Sequence, residues 1–571
     1  MKRAKTTKRF YSIEGLDWED ILKNHDYIKN ETKIREEFKE TNSEIADLFD
    51  EGTPSKRRTI RNYRTPSKKT LRKKYEFFIH NLISRQISSN GGMAYLSSTI
   101  LQKILDKDYF VIKINLIRKG IIATDGYYDL NTKTYGYCIM PTQKITTSIV
   151  PIYYPDEHYC KTLNKLLQEH TKSNAAQAKE NLSDGFYNNY LQSLNKLKLS
   201  YEDKANEFID IHFTNNINSK LYYQYIVEQY RNNNKYDIKV PNTKDNRIYH
   251  ILTSTPRLLK YFLNIKYTVD IHNSHPLLFV NEIYEYYRVP TSIMYLISLY
   301  IREIYSTMSN KGYNVRVKLY NKLKENNIDY PKIKEIPLDV IRYIYLVSVG
   351  KFWDKVLPDL NEPTNGNTYN IIRQDVKVIM FAQVFYGKQL TSRGQEYAKI
   401  FKEQFPSVYS IILNFKRGLD KSDRVVLTHR LMALESKLFR EVLRRLYELK
   451  YSVISIHDAV VVLDVKENND CTPTLVSNII EQVYNELGLI PDCSVDYYGK
   501  EEMELFLEKE QFLRERGDEY IAQLRKLSEK DEEIRQLVAD FDNGKSEIIL
   551  TPDKQDVMLH LRDTKELMYR K

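Results

Sequence analysis

The sequence is poor in cysteine. Its four, Cys138, Cys160, Cys471 and Cys493, lie far apart and form no Cys-x-x-Cys. That argues against a zinc site and makes a reducing compartment the default expectation. No apolar run approaches the roughly 18 residues that a membrane helix requires, so no membrane partner is expected. The basic start, MKRAKTTKRFYSIEGLDWED, has no apolar stretch after it and does not read as a secretory signal. No internal repeat is visible. Acidic residues are missing from residues 56–74, KRRTIRNYRTPSKKTLRKK, which carry ten Lys or Arg. Such a run, including Arg57, Arg58 and Arg61, attracts a polyanion by releasing its counterions, or else forms a solvated tail.

What is present is a long, basic, globular chain. The 571 residues allow two to four domains, the net charge is +11, and apolar content is 42%. The 46 tyrosines include side chains able to stack on bases, although most are expected in the core. An α+β fold is expected. Residues 1–75 read as a basic, partly disordered or loosely helical arm. Residues 76–155 read as a mixed region, helical over 76–108 and a small β unit over 109–142. Residues 156–244 read as long helices, residues 245–500 as a mixture of strands and helices, and residues 501–571 as a charged helical extension for the body or a partner.

Three segments carry chemistry. The stretch SVISIHDAVVVLD, residues 452–464, has the composition of strands around a central His457-Asp458. Either the pair is exposed at a hairpin tip, or a strand–turn–strand presents Asp458 to a metal ion. In NIKYTVDIHNSHPLLFV, residues 264–280, a strand is expected over 265–269 with Asp270 at its end. A helix is expected next, with Pro276 near its first turn. Two converging carboxylates would bind Mg²⁺ and leave room for water and phosphate oxygens. Between them lies NIIRQDVKVIMFAQVFYGK, residues 370–388. On a helix, Arg373, Lys377, Phe381 and Phe385 share one face, with Gly387 a plausible stop. Cations followed by aromatics suit a triphosphate and a stacked base; an amphipathic helix with snorkelling cations is the alternative.

In this order the segments resemble the family A polymerase superfamily, which includes DNA polymerase I-like enzymes and single-subunit phage and mitochondrial RNA polymerases. The resemblance covers about residues 245–500. Asp270 matches the palm-strand aspartate, Arg373, Lys377, Tyr386 and Gly387 the fingers helix, and His457-Asp458 the palm hairpin. DNRIYH, residues 245–250, resembles the segment upstream of the first motif, with Arg247 the matching residue. LTHRLMALESKLFREVLRRL resembles the palm helix before the hairpin, with Arg430 in place of the DNA enzymes' Gln.

The resemblance implies a right-hand fold: an antiparallel palm sheet, helical fingers, a thumb-like region over 156–244, and mostly helical extensions. It implies nucleotidyl transfer onto a primer 3′-OH by two Mg²⁺, or Mn²⁺, held by Asp270 and Asp458. Arg373 and Lys377 would bind the triphosphate, and Tyr386 or Phe385 would stack near the base. His275, where DNA polymerases place Glu and RNA polymerases Gly, would gate the sugar. Arg247, Arg430 and His457 would contact a DNA or RNA primer–template. His272 and Asn273 read as helix-capping or supporting groups.

The chain departs from the pattern in places. Tyr386 lies five residues after Phe381, where DNA polymerase I-like enzymes use four, so either a bulge intervenes or Phe385 takes the tyrosine's place. The gap from Asp270 to Arg373, 373 − 270 = 103 residues, is closer to the RNA polymerases. A DNA polymerase using dNTPs is the leading expectation. A single-subunit RNA polymerase or primase using NTPs is one alternative, and a catalytically silent nucleic-acid-binding accessory protein is another. Richness in Lys, Asn, Ile and Tyr suggests an AT-rich coding sequence, as in phages, plasmids and other mobile elements. That would put the protein in the cytoplasm of a bacterial or phage-infected cell, or else in a mitochondrion. No proofreading nuclease is expected: DWED, residues 17–20, is the nearest Asp-x-Glu match, and its surroundings read as helical.

Overall fold

The computed structural model describes residues 8–28, 67–88, 94–97, 101–102, 105, 108–129, 134–139, 149–154, 175–213, 217–231, 238–240, 247–307, 315–361, 377, 380–386, 392–415, 426–528, 546–552 and 557–563. The chain divides between two units, Met1–Ser173 with Tyr201–Asn234, and Asn174–Ser200 with Lys235–Lys571. Both combine helices with small antiparallel sheets, an α+β construction. No helix among the described residues is long and apolar enough to cross a membrane.

In the first unit, β1 (Lys8–Ile13) leads into α1 (Trp18–Ile28). Asp17 starts α1 by accepting the Glu19 and Asp20 amides on its carboxylate, at 3.1 and 3.0 Å. Helix α2 (Lys68–Ser88) follows, then β2 (Ala94–Ser97), α3 (Asp108–Arg118), β3 (Ile122–Asp129), β4 (Thr134–Ile139) and β5 (Ile149–Tyr154). Strand β5 pairs with β1, and β4 lies between β2 and β3. The apolar side chains of α2 (Tyr75, Phe78, Leu82) and α3 (Ile112, Leu116) form one core. The chain then contributes α4 (Asp184–Lys196) to the second unit and returns with α5 (Glu202–His212) and α6 (Ile217–Arg231).

Three expectations for the chain ends need correction. Residues 108–118 form helix α3, not the first strand of a β unit. Their β-branched residues favour a strand, but Tyr109, Ile112 and Leu116 recur at helical spacing and are buried in the core, so packing overrides propensity. The basic run is not a free arm throughout. From Lys68 it is part of α2, and Lys74 is buried with its ammonium 2.6 Å from the Asp108 carboxylate. Arg57, Arg58 and Arg61 lie outside the described residues. The C-terminal extension is not helical to its end: Ser546–Pro552 and Val557–Asp563 pair antiparallel as a hairpin.

The second unit is built on a four-stranded antiparallel sheet, in the order β7 (Val453–Ile456), β8 (Ala459–Leu463), β6 (Ile265–Ile271), β9 (Cys493–Tyr497). Strands β6 and β8 are the inner strands; β8 is solidly aliphatic, β6 alternates apolar with polar side chains, and Tyr267, Val269 and Val460–Leu463 are almost wholly inaccessible. Four helices matter for the site or its supports: α7 (Ser274–Tyr286), directly after β6; α8 (Val426–Glu448), which contacts α7 and β7; α9 (Pro473–Asn485), which contacts α8 and β6; and α4, which contacts β7. Asn468, fully buried, ties the base of the β7–β8 hairpin. It accepts the Ser452 amide and donates to the carbonyls of Ser452 and Leu463, all at 2.8 Å.

Candidate active site

Strand β6 carries Asp270 near its end, paired with Ala459 on one side and Ser494 on the other. Asp458 immediately precedes Ala459. With His457 it forms the two-residue connection between β7 and β8, where Ile456 faces Ala459. The Ile271 amide donates to the Asp458 carbonyl at 3.3 Å. Two aspartates 458 − 270 = 188 positions apart are therefore neighbours at one end of the sheet. His457 has φ = 53°, a left-handed conformation uncommon for a residue other than glycine and suited to a tight hairpin. The pair thus sits at a hairpin tip, half-buried rather than exposed, and brings a carboxylate beside Asp270.

The electrostatics of this corner are unusual. Burial raises the Asp458 carboxyl well above the ordinary range, and the charges of Glu435 and Asp270 push it further. Burial also raises Asp270, against the opposing charges of Lys377 and His272. Lys260, on the approach to β6, is depressed by burial and by Arg257 while Asp270, Asp496 and Asp458 oppose that shift. Two half-buried carboxylates that repel each other are a set that a divalent cation would relieve. Magnesium is commonly held by one or two carboxylates with substrate phosphates and water completing its shell, and Asp270 and Asp458 fit that use. Among the described residues no group of three or more His, Cys, Asp or Glu gathers into a fuller metal-binding set.

Behind Asp270 the chain turns sharply into α7. His272 donates its amide to the Asp492 carbonyl at 2.8 Å, and its Nδ1 lies 2.7 Å from the Asp492 carboxylate. Gly350 closes over this pair at φ = +69°, and a Cβ there would lie 2.2 Å from Asp492 Oδ2. Asn273 precedes α7 in the left-handed region, at φ = 57°. It occupies the N-cap position, but its side chain makes no cap hydrogen bond; its carbonyl receives the Leu277 amide at 2.8 Å.

Phe381–Phe385 is a single π-turn, closed by the Tyr386 amide on the Phe381 carbonyl at 2.7 Å. A π-turn absorbs one extra residue relative to an α-helical turn. Phe385 is buried against Phe279 and Phe401. Tyr386 stacks on Phe381, with ring centres 5.0 Å apart and 10° between planes, and its hydroxyl bonds His275 Nδ1. Lys377 is half-buried and acts electrostatically on Asp270. Arg373 and Gly387 lie outside the described residues.

His275, on the first turn of α7, is buried at the centre of a polar cluster. Its Nε2 lies 3.0 Å from Glu435 Oε1 and 3.1 Å from an Arg247 terminal nitrogen. Arg247 donates to Glu435 Oε2, and Ser274 Oγ donates to Oε1 at 3.1 Å. Burial alone would raise the Glu435 carboxyl, but hydrogen bonds from His275 and Arg247, with the Arg247 charge, hold it down at about 2. A small cavity bounded by Arg247, Glu435, Ser455 and His457 separates this cluster from the hairpin. Burial, with the Arg247 charge, lowers the pKa of His457.

Arg430 is occupied elsewhere: its guanidinium bonds Glu282 and Glu285 of α7, at 3.2 and 3.0 Å. The sequence reading missed Glu435, Lys260 and the His272–Asp492 pair. Glu435 had a legible signal. It lies on the same helical stripe as Leu431, Leu438 and Val442, where a carboxylate requires a buried partner. The partners themselves came from distant segments. No model of a known protein family matches the chain, and no curated protein does.

Proposed function

We propose that the chain catalyses template-directed nucleotidyl transfer, extending a primer 3′-OH with deoxynucleoside triphosphates. The observation that carries this reading is the pairing of Asp270 and Asp458, half-buried, repelling each other and faced by the charge of Lys377. The order of these residues in the chain, and their resemblance to the family A polymerases, supports a right-hand arrangement with the sheet as palm and residues around 377–386 in the fingers.

Asp270 and Asp458 would hold Mg²⁺, which when bound supplies charge neutralisation for the attacking and leaving oxygens of an in-line displacement at phosphorus. Lys377 binds the β- and γ-phosphates with Arg373 and gives a proton to the departing pyrophosphate. The Tyr386 ring, backed by Phe381, offers a face to the incoming base. His275 fills the space where a ribose 2′-OH would otherwise fit. His457 and Arg247, beside the hairpin, orient the primer end.

The test is extension of a labelled primer on DNA and on RNA templates, with Mg²⁺ and either dNTPs or NTPs, a no-primer lane and an Asp458→Ala control. Extension with dNTPs that disappears in the control supports the proposal. Extension with NTPs alone, or product without primer, moves the protein to an RNA polymerase or primase. Folded protein that makes no product in any lane defeats the catalytic reading.

A further inference from the structure

We infer that Glu435 is a positioning residue for sugar selection: its buried carboxylate fixes the tautomer and the plane of His275, and thereby the contact of His275 with Tyr386. The inference rests on the polymerase reading and adds to it a residue that touches neither substrate nor metal.

The argument is one of donors and acceptors. A carboxylate only accepts and a guanidinium only donates. Glu435 Oε1 is 3.0 Å from His275 Nε2, so Nε2 carries a proton and donates it. Arg247, 3.1 Å from the same nitrogen, has no acceptor to offer and gives its hydrogen bond to Glu435 Oε2 instead. In the neutral ring Nδ1 is then the acceptor, and it takes the hydroxyl proton of Tyr386. Ser274 Oγ, also on Oε1, fixes the carboxylate plane. Three chain segments are thus joined through one imidazole: α8 by Glu435, the start of α7 by His275, and the π-turn segment by Tyr386. The ring is further held edge-on to Phe381 and Tyr386, at centroid distances of 5.9 and 5.6 Å.

With Gln at position 435 one of the two acceptor oxygens becomes a donor: the charged Arg247 keeps the remaining oxygen, and Nε2 faces only donors. The proton then moves to Nδ1, Nε2 accepts from Arg247, and the Tyr386 contact reverses direction. A gate that can turn or lean toward Arg247 admits a 2′-hydroxyl. The cost of burying the ribose hydroxyl falls, while deoxyribose, which never met the gate, is affected less.

The test measures single-nucleotide incorporation for the full chain and for Glu435→Gln, with a dNTP and the matching NTP on one primer–template. We expect the ratio of kcat/KM for dNTP over NTP to fall roughly tenfold or more, the scale of one lost charge-assisted hydrogen bond. The change should lie mainly in KM for the NTP. In parallel, ¹⁵N NMR of the histidine rings should show the His275 proton on Nε2 in the wild type and displaced from it in the variant. If Glu435→Gln does not fold, Tyr386→Phe removes the partner on the other nitrogen and should lower the same ratio. A folded variant whose dNTP and NTP efficiencies fall together, or whose ratio does not move, overturns the inference and leaves the polymerase standing. Wild-type protein that extends no primer overturns both.

Discussion

Replacing Asp458 by Asn should make the protein more stable and abolish nucleotidyl transfer, and the first effect is the more informative. The two side chains are nearly isosteric, so packing is conserved and only charge changes. Asp458 and Asp270 sit on adjacent backbones, one at the hairpin turn and the other at the end of the neighbouring strand. Charges that shift a carboxyl directly, as Asp270 shifts Asp458, lie within roughly 6 Å of it. At an effective dielectric of about 20, two like charges at that distance repel by about 3 kcal/mol. The charges of Lys260, Lys377 and Arg247 offset part of this, leaving a net gain of about 1–2 kcal/mol for Asp458→Asn in EDTA. The gap should shrink as pH falls. A carboxyl raised in the folded state takes up its proton there first, so wild-type stability recovers on acidification and approaches that of the variant, whose amide is uncharged at every pH. Millimolar Mg²⁺ should raise the wild-type denaturation midpoint and leave the variant's nearly unchanged, since only a ligand bound by the native state stabilises it. The assay is urea denaturation followed by fluorescence, with EDTA and with Mg²⁺, at pH 5 and pH 7.5. A variant less stable than wild type in EDTA would refute the claim that these carboxylates repel, and with it the case for a cation site between them.

Other outcomes follow from the supports of the site. His250 is buried with Nε2 donating to the Ser455 carbonyl at 3.0 Å, and burial pushes its pKa down to about 4 from an ordinary 6.5. The unfolded chain binds that proton first, so this residue contributes stability above pH 6.5 that is lost as pH falls toward 4, about 3 kcal/mol in all; His250→Gln should flatten the pH dependence of the unfolding midpoint in that window. Gly350→Ala adds a methyl 2.2 Å from the Asp492 carboxylate at a left-handed backbone position, which should cost about 2–4 kcal/mol by denaturation and weaken the His272–Asp492 contact seen by NMR. Asn468→Ala removes three hydrogen bonds at 2.8 Å from a fully buried site and should cost about 3 kcal/mol, with hydrogen exchange accelerating at the Ser452 amide; exchange that stays slow there would count against Asn468 as the clasp of the hairpin.

Local chemistry was legible along the chain where one interaction dominates. The β-branched and aromatic residues before Asp270 form a strand as expected, and Pro276 lies in the first turn of the helix that follows. The aliphatic run Val460–Leu463 forms a strand too, and the turn residues His457 and Asp458 separate it from its partner. Reading failed where packing outweighs local preference. Residues 108–118 look strand-forming, yet the core they enter selects a helix. The hairpin at 546–563 follows a strongly helical, charged segment whose pattern does not extend to it.

The sequence by itself determined which side chains exist to do chemistry: two aspartates bounded by strand-forming runs, a lysine ahead of an aromatic cluster, and a histidine five residues after the first aspartate. Those are properties of short stretches, governed by propensity and by the period of apolar residues. Only the tertiary structure decided which of them meet. Asp270 and Asp458 become neighbours because β6 and β8 pair across the whole intervening chain. Tyr386 reaches His275 because a π-turn absorbs one residue. Glu435 finds Arg247, Ser274 and His275 because a carboxylate forced into an apolar helix face must be satisfied by donors brought from elsewhere. Partnership of this kind depends on contacts between residues far apart in the chain, and no local pattern records it.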